Sequence, residues 1–186
     1  MFIQTETTPN PATLKFLPGQ AVLEGGTADF PTEEAAAPSP LARRLFGVGG
    51  VTGVFLGHDF VTVTKGETAE WQHLKPALLA AILEHYQSGA PAIEGADDHG
   101  GHAESDGPDN EIVRQIKVLL DTRVRPAVAQ DGGDIVFHGF DRGVVYLHMQ
   151  GACAGCPSST LTLKMGIENL LRHYIPDVTE VRPVVV

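Results

Sequence analysis

Cysteine is scarce in this sequence, since its 186 residues contain only Cys153 and Cys156. The two stand three positions apart, so a disulfide between them would close a very short loop and stabilise the fold by only about 2 kcal/mol. In a reducing compartment even that bond would not persist. A disulfide framework is therefore excluded, and the pair points to a metal-ligand or redox role.

Long apolar runs and basic clusters are also missing. The longest candidate run, Leu78 to Leu83, falls far short of the roughly 18 to 20 residues that span a bilayer. Lysine and arginine are scattered, whereas binding to nucleic acid requires clustered positive charge. We therefore expect neither a membrane nor nucleic acid as a partner. The first residues carry no targeting pattern, which predicts a cytoplasmic (bacterial) protein, with the mitochondrial matrix as the alternative if a presequence has been removed.

The net charge of −10 is concentrated in one stretch. Residues 89 to 110 hold six acidic side chains, five glycines and no lysine or arginine, with Ile93 as their only large apolar residue. Such a stretch cannot bury enough surface to offset its ordering entropy. We predict a flexible acidic, glycine-rich linker at 89–108 between two small domains, 1–88 and 109–186.

The first domain combines strand and helix patterns. Apolar and β-branched runs bounded by turn residues predict strands at Phe2–Thr7, Thr13–Leu17, Val51–Leu56 and Phe60–Thr64. Ser39-Pro40 predicts the start of a short helix ending at Gly47, and Leu74, Leu78, Ile82 and Tyr86 predict a second helix that starts or kinks near Lys75. We expect Gly25 to Pro38 to be a loop.

The second domain has the predicted order α-β-β-α-β. A helix with Asp109 or Asn110 as its N-cap runs towards Val128, and a hairpin turns at Asp141-Arg142-Gly143. A second helix carries Leu163 to Tyr174, and Val178 to Val186 forms the last strand. The fold class is α+β, with two small α/β domains. Asp131-Gly132-Gly133 ends the first helix, and glycine there commonly takes a positive φ.

The motif Cys153-Ala154-Gly155-Cys156 lies between a predicted strand and a predicted helix. Pro157 suits the first helical turn, which places Cys156 at or near the N-cap, where the positive end of the helix dipole favours anionic sulfur. The spacing lets both sulfurs face one metal site, and the small residues around them leave room for an inorganic cluster.

Several chemistries fit this motif. An iron-sulfur cluster usually takes four thiolates, so two chains would have to share one through Cys153 and Cys156. A thiol-disulfide oxidoreductase is the main alternative, although its motif normally comes early in its domain. Structural zinc would need further ligands, and the candidates are His148 in a strand and His99 and His102 in the linker. No triad, phosphate loop or carboxylate pair indicates an enzyme.

Other conspicuous side chains have simpler explanations. We interpret His138 and His148 as ordinary sheet residues and His99 and His102 as solvated linker residues. Trp71 and Tyr86 are predicted core aromatics, and Arg43 with Arg44 is predicted to be a solvated helix face.

Stretches in both predicted domains carry a resemblance to a known family. Residues 125–135, Arg-Pro-Ala-Val-Ala-Gln-Asp-Gly-Gly-Asp-Ile, and residues 151–164 around the cysteines resemble the NifU C-terminal domain of the Nfu family. Gln4 to Pro11 with Leu14-Lys15-Phe16 is similar to the N-terminal domain that accompanies it. The resemblance implies a carrier that binds a [4Fe-4S] cluster, with [2Fe-2S] as the alternative, across a homodimer. It also implies upstream cluster assembly proteins as donors and apo iron-sulfur proteins as clients.

Overall fold

The chain divides into two compact units, Met1–Gly101 and His102–Val186. The computed structural model describes residues 1–95, 110–154 and 157–184. Each unit has its own core of buried apolar side chains. The predicted pair of small α+β domains is confirmed, and most of the predicted linker lies outside the described residues.

The first unit contains a five-stranded antiparallel sheet in the order β1-β2-β5-β4-β3. The strands are β1 (Gln4–Thr7), β2 (Thr13–Leu17), β3 (Ala28–Phe30), β4 (Val51–Leu56) and β5 (Val61–Lys65). The corner between β1 and β2 is held by the Asn10 side chain, which accepts a hydrogen bond from the Ala12 amide at 3.0 Å. The four predicted strands are confirmed.

Strand β3 was not predicted, and the expectation of a continuous loop from Gly25 to Pro38 is wrong. Its three residues, Ala-Asp-Phe, are too few to show an alternating pattern. They become a strand because they pair with Val54 to Leu56 of β4.

Two helices bury their apolar stripes against this sheet. Helix α1 (Pro40–Phe46) begins as predicted at Ser39, whose Oγ accepts a hydrogen bond from the Ala42 amide at 3.0 Å. Helix α2 (Trp71–Ser88) starts one turn before the predicted position and continues through Pro76. It ends at Gly89, which has a φ of 69°.

The chain after α2 stays attached to the first unit. Ser39 donates from its hydroxyl to the Ala92 carbonyl at 2.6 Å, and the Glu94 amide donates to the Pro38 carbonyl at 2.7 Å. Ile93 packs on the core of this unit. Residues 92 to 94, which belong to the predicted linker, are therefore anchored on the first domain.

The second unit has the predicted order α-β-β-α-β, with its first helix divided. Helix α3 (Asn110–Leu119) leads into a π-helical turn (Leu120–Val124) and then helix α4 (Arg125–Gln130). Proline at 126 has no amide hydrogen to donate to the preceding turn. The Arg125 amide instead bonds to the Leu120 carbonyl, five residues back, which is the π-helical pattern.

The second sheet has the order β6-β7-β8. Strands β6 (Gly133–Asp141) and β7 (Val144–Gly151) form the predicted hairpin, and Arg142 and Gly143 in its turn both have positive φ. Helix α5 (Pro157–Tyr174) leads to β8 (Glu180–Pro183), which is parallel to β7 and shorter than predicted. In the described parts of the chain, no helix is long and apolar enough to cross a membrane.

Candidate metal centre

The connection between β7 and α5 carries Cys153. Three hydrogen bonds of 3.1 Å hold its backbone: from the Ala154 amide to the Gly151 carbonyl, from the Ala152 amide to the Gly132 carbonyl, and from the Thr160 hydroxyl to the Cys153 carbonyl. Gly151 has a φ of 63°, which turns the chain as β7 ends. The loop is thus tied both to the segment before β6 and to the first turn of α5.

The Cys153 side chain is a free thiol that packs into the core of the second unit and is only 7% exposed. Burial, as the largest cause, and the carboxylates of Asp131 and Asp134 together raise the pKa of this thiol to about 12. The protein alone therefore holds Cys153 protonated. The preference for anionic sulfur that the sequence predicts at the start of the helix applies to Cys156. The surroundings of Cys153 favour a neutral thiol instead.

Gly133 lies directly against the sulfur. A Cβ built on Gly133 would stand 2.5 Å from the Cys153 Sγ and 2.8 Å from the Gln150 carbonyl oxygen. Both distances are too short for real contacts, so only glycine leaves the sulfur where it is. Gly132 has the positive φ expected after a helix, at 80°. Sequence reasoning identified that backbone role, but it missed the steric role of Gly133.

An ion pair ties the helices before the site to the start of β6. The Arg125 guanidinium donates two hydrogen bonds of 2.9 Å to the carboxylate of Asp134, which is only 2% exposed, and one of 3.1 Å to Asp121. The Asp134 carboxylate raises the pKa of Arg125. Because Asp134 follows Gly133, this pair anchors the segment against which Cys153 packs. Sequence reasoning did not single out Arg125, since the pairing becomes visible only in the folded chain.

Cys156, the second predicted ligand, lies outside the described residues, as does Gly155. The relative geometry of the two sulfurs therefore stays a prediction.

Comparison with known proteins matches both halves of the chain. Residues 3–89 match the model described as "Scaffold protein Nfu/NifU N terminal", and residues 116–182 match "NifU-like domain". The human protein named "NFU1 iron-sulfur cluster scaffold homolog, mitochondrial" is 52% identical over 99% of this chain and 72% of its own length. The chain belongs to the Nfu family.

Two further relatives have similar identity. The Drosophila erecta protein of the same name is 54% identical, with 99% of this chain and 65% of that protein covered. "NifU-like protein 4, mitochondrial" from Arabidopsis thaliana is 51% identical, with 96% and 64% covered. The chain thus spans about two thirds of the length of these two relatives. Within this Nfu chain, both cysteines fall in the NifU-like match.

His138 and His148 lie on the second sheet. The rings of His138 and His148 are 6.4 Å apart, and His148 Nδ1 is 3.3 Å from the Val184 carbonyl oxygen. Successive strand residues point to opposite faces, so His148 points away from the core that Met149 shares with Cys153. His99 and His102 lie outside the described residues. Among the residues that are described, no group of three or more His, Cys, Asp or Glu side chains could hold a metal ion.

The conspicuous side chains of the first unit have structural partners. Trp71 and Tyr86 pack on its core and donate hydrogen bonds to the Pro11 and Ala21 carbonyls, as predicted for core aromatics. Arg43 and Arg44 form exposed ion pairs with Glu94 and Glu84. Such exposed pairs contribute little to stability, so the prediction of a solvated helix face is confirmed.

Proposed function

We propose that this chain is an iron-sulfur cluster scaffold and carrier, which binds a [4Fe-4S] cluster between two copies through Cys153 and Cys156 and passes it to apo-proteins. The observation that carries the proposal is that the chain's two cysteines fall within its NifU-like match, while the human and Drosophila erecta relatives, which match nearly the whole chain, are named iron-sulfur cluster scaffold homologs.

The number of thiolates supports a shared cluster. A [4Fe-4S] or [2Fe-2S] cluster usually takes four cysteine ligands, and each chain offers two. Two copies supply the complete set, which makes the cargo-bound form a homodimer. A cluster divided between two chains is lost when they separate, and this suits delivery better than permanent electron transfer.

The protonation state of Cys153 fits a ligand whose sulfur is deprotonated only when a cluster is bound. A metal displaces the proton of a cysteine ligand, so loading must pay for deprotonating a thiol whose pKa is raised to about 12. On delivery the thiol regains its proton. The same burial weighs against the oxidoreductase alternative for Cys153, because reactive cysteines are exposed and have lowered pKa values.

The proposed carrier role implies the partners, and the relatives' names bear on the location. The donors would be upstream cluster assembly proteins and the recipients apo iron-sulfur proteins. The first domain contains no cysteine, so we assign it partner recognition rather than ligands. The relatives' names support the mitochondrial alternative, whereas nothing in them supports the cytoplasmic (bacterial) prediction.

Anaerobic reconstitution of the full chain tests the proposal. The expected product is a dimer with one [4Fe-4S] cluster per two chains, measured by iron and acid-labile sulfide analysis together with sedimentation. Cys153→Ser and Cys156→Ser should each abolish stable loading, while His148→Gln serves as a matched control and should load normally. A monomer holding a full cluster, or zinc in place of iron, would refute the proposal.

A further inference from the structure

One face of helix α5 is exposed and uncharged from Leu161 to Asn169. The exposed residues there are Leu161, Thr162, Met165, Gly166 and Asn169. Leu161 is 57% exposed and Met165 is 55% exposed. The solvent face of a helix normally carries charged side chains. On α5, exposed charge appears only further along, at Arg172.

Leu161 and Met165 form one continuous apolar surface, which we call the α5 apolar face. They are four residues apart and so lie next to each other on the helix. Ile167 and Leu171 of the same helix are buried in the core of the second unit. The α5 apolar face is flanked by the ion pair between Lys164 and Glu168, at 3.6 Å.

This face is close to the cysteine loop. Thr160, the residue before Leu161, donates its hydroxyl hydrogen bond to the Cys153 carbonyl at 3.1 Å. Helix α5 begins at Pro157, directly after Cys156 in the chain. At about 1.5 Å of rise per residue, Leu161 lies about 6 Å and Met165 about 12 Å along the helix from its start.

We propose that the α5 apolar face is the surface on which a second copy of the chain docks when the two share a cluster. This inference rests on the proposed function, because one chain cannot complete the ligand set alone. A second copy that brings its two sulfurs to the same cluster must approach the start of α5. In a two-fold symmetric contact the same patch serves both partners, so Leu161 and Met165 would meet their own counterparts.

The distribution of charge along α5 fits this occupant. Interfaces have an apolar centre and a polar rim. The uncharged part of the exposed face is nearest to the cysteines, where the symmetry axis must pass, and Arg172 is further away. The patch is also small, since a standard interface uses about 20 to 30 residues a side. Contacts of this size stabilise a dimer only together with the cluster, so loss of cargo releases the partner.

The test uses the full chain, reconstituted anaerobically, with the variant Leu161→Gln/Met165→Gln. Its matched control is Val118→Gln, because Val118 is a 59% exposed apolar residue on α3. Sedimentation of a dilution series measures the dissociation constant of the loaded dimer. We expect at least about a tenfold increase for the double variant and less than about a twofold change for the control. Hydrogen exchange of the wild type should show residues 161–165 protected on loading.

Each result decides the question. If the wild type loads as a dimer but the double variant has an unchanged dissociation constant, or residues 161–165 gain no protection, the docking surface is wrong while the proposed function stands. An equal effect of Val118→Gln also overturns it. A variant that dimerises normally but transfers its cluster more slowly to an apo [4Fe-4S] enzyme would show a client surface instead. A wild type that takes up no cluster overturns the proposed function as well. If the double variant misfolds, the two single variants and the wild-type hydrogen exchange still decide.

Discussion

Removing the guanidinium of Arg125 tests whether its ion pair with Asp134 holds the site. Arg125→Met keeps the aliphatic part of the side chain but removes two hydrogen bonds of 2.9 Å from a carboxylate that is 2% exposed. The change leaves a buried charge without its counterion. We expect the second domain to lose stability and, because Asp134 follows Gly133, to hold its cysteine loop less firmly.

The size of the effect follows from the burial of the two partners. Removing one member of a fully buried pair costs about 3 to 5 kcal/mol. The Arg125 side chain is 33% exposed, so water screens part of the interaction, and we expect about 2 to 3 kcal/mol. The matched control is Asp121→Asn. The Asp121 side chain is 57% exposed, so its bond to Arg125 is worth at most about 1 kcal/mol.

The chain offers a convenient way to read the two domains separately. Trp71 is its single tryptophan and belongs to the first unit. Urea unfolding followed by tryptophan fluorescence therefore reports the first domain, and far-ultraviolet circular dichroism reports both. Arg125→Met should lower the midpoint of the second-domain transition by about 1 to 2 M urea and leave the Trp71 transition unchanged. The reasoning is refuted if the variant is no less stable than Asp121→Asn, or if both transitions move together.

Three further predictions concern single side chains. Gly133→Ala should lower the stability of the second domain by about 1 to 3 kcal/mol and weaken cluster retention, because the added Cβ would overlap the Cys153 sulfur. The control is Gly139→Ala in the same strand, which meets open space and should have little effect. Thermal unfolding and iron retention compare the two variants. In the Cys156→Ser variant, Cys153 should react with iodoacetamide at pH 8 up to about a thousandfold more slowly in the folded apoprotein than in urea, because its pKa is raised to about 12 in the folded state. Equal rates in the two states would contradict the burial of Cys153. Burial lowers the pKa of His85, and Arg44 adds to the effect, so the unfolded chain binds a proton at this residue before the folded chain does. The stability of the first domain should therefore fall as the pH drops below about 6.5. His85→Leu should flatten this pH dependence of unfolding, followed by Trp71 fluorescence, and substitution of exposed His73 should not.

Local patterns predicted those elements whose causes are local. The Ser39 cap, the helix end at Gly47 and the order α-β-β-α-β follow from side-chain preferences and periodicity, and the structure has them. Strand β3 and the π-helical turn were not predicted, for different reasons. The strand exists because of its pairing with distant β4, and the turn results from hydrogen bonds displaced ahead of Pro126.

In the candidate site, too, local patterns predict some features, whereas contacts between distant residues determine others. Motif spacing predicts Cys153 and Cys156 as a ligand pair, and that pairing stays a prediction, but the spacing gives no information on burial. The packing of the Cys153 sulfur against Gly133 joins residues twenty positions apart. The pairing of Arg125 with Asp134 joins helix α4 to the start of β6. Burial and the carboxylates of Asp131 and Asp134 favour the protonated thiol, and no local pattern reports those surroundings.

The contacts around the cysteine loop also predict that the second domain can work alone. Those described here, with Arg125, Gly133, Asp134 and Thr160, all join residues of the second unit. A fragment of residues 109–186 should therefore fold and take up the same amount of iron per chain as the full protein, because nothing in this set is lost with the first domain. Transfer to apo-proteins should become slower for some clients, since partner recognition is assigned to the removed part. Iron analysis, circular dichroism and transfer rates over a panel of apo-enzymes measure the three quantities. An unfolded or iron-free fragment would show that the site depends on the first domain, and unchanged transfer to every client would remove the recognition role.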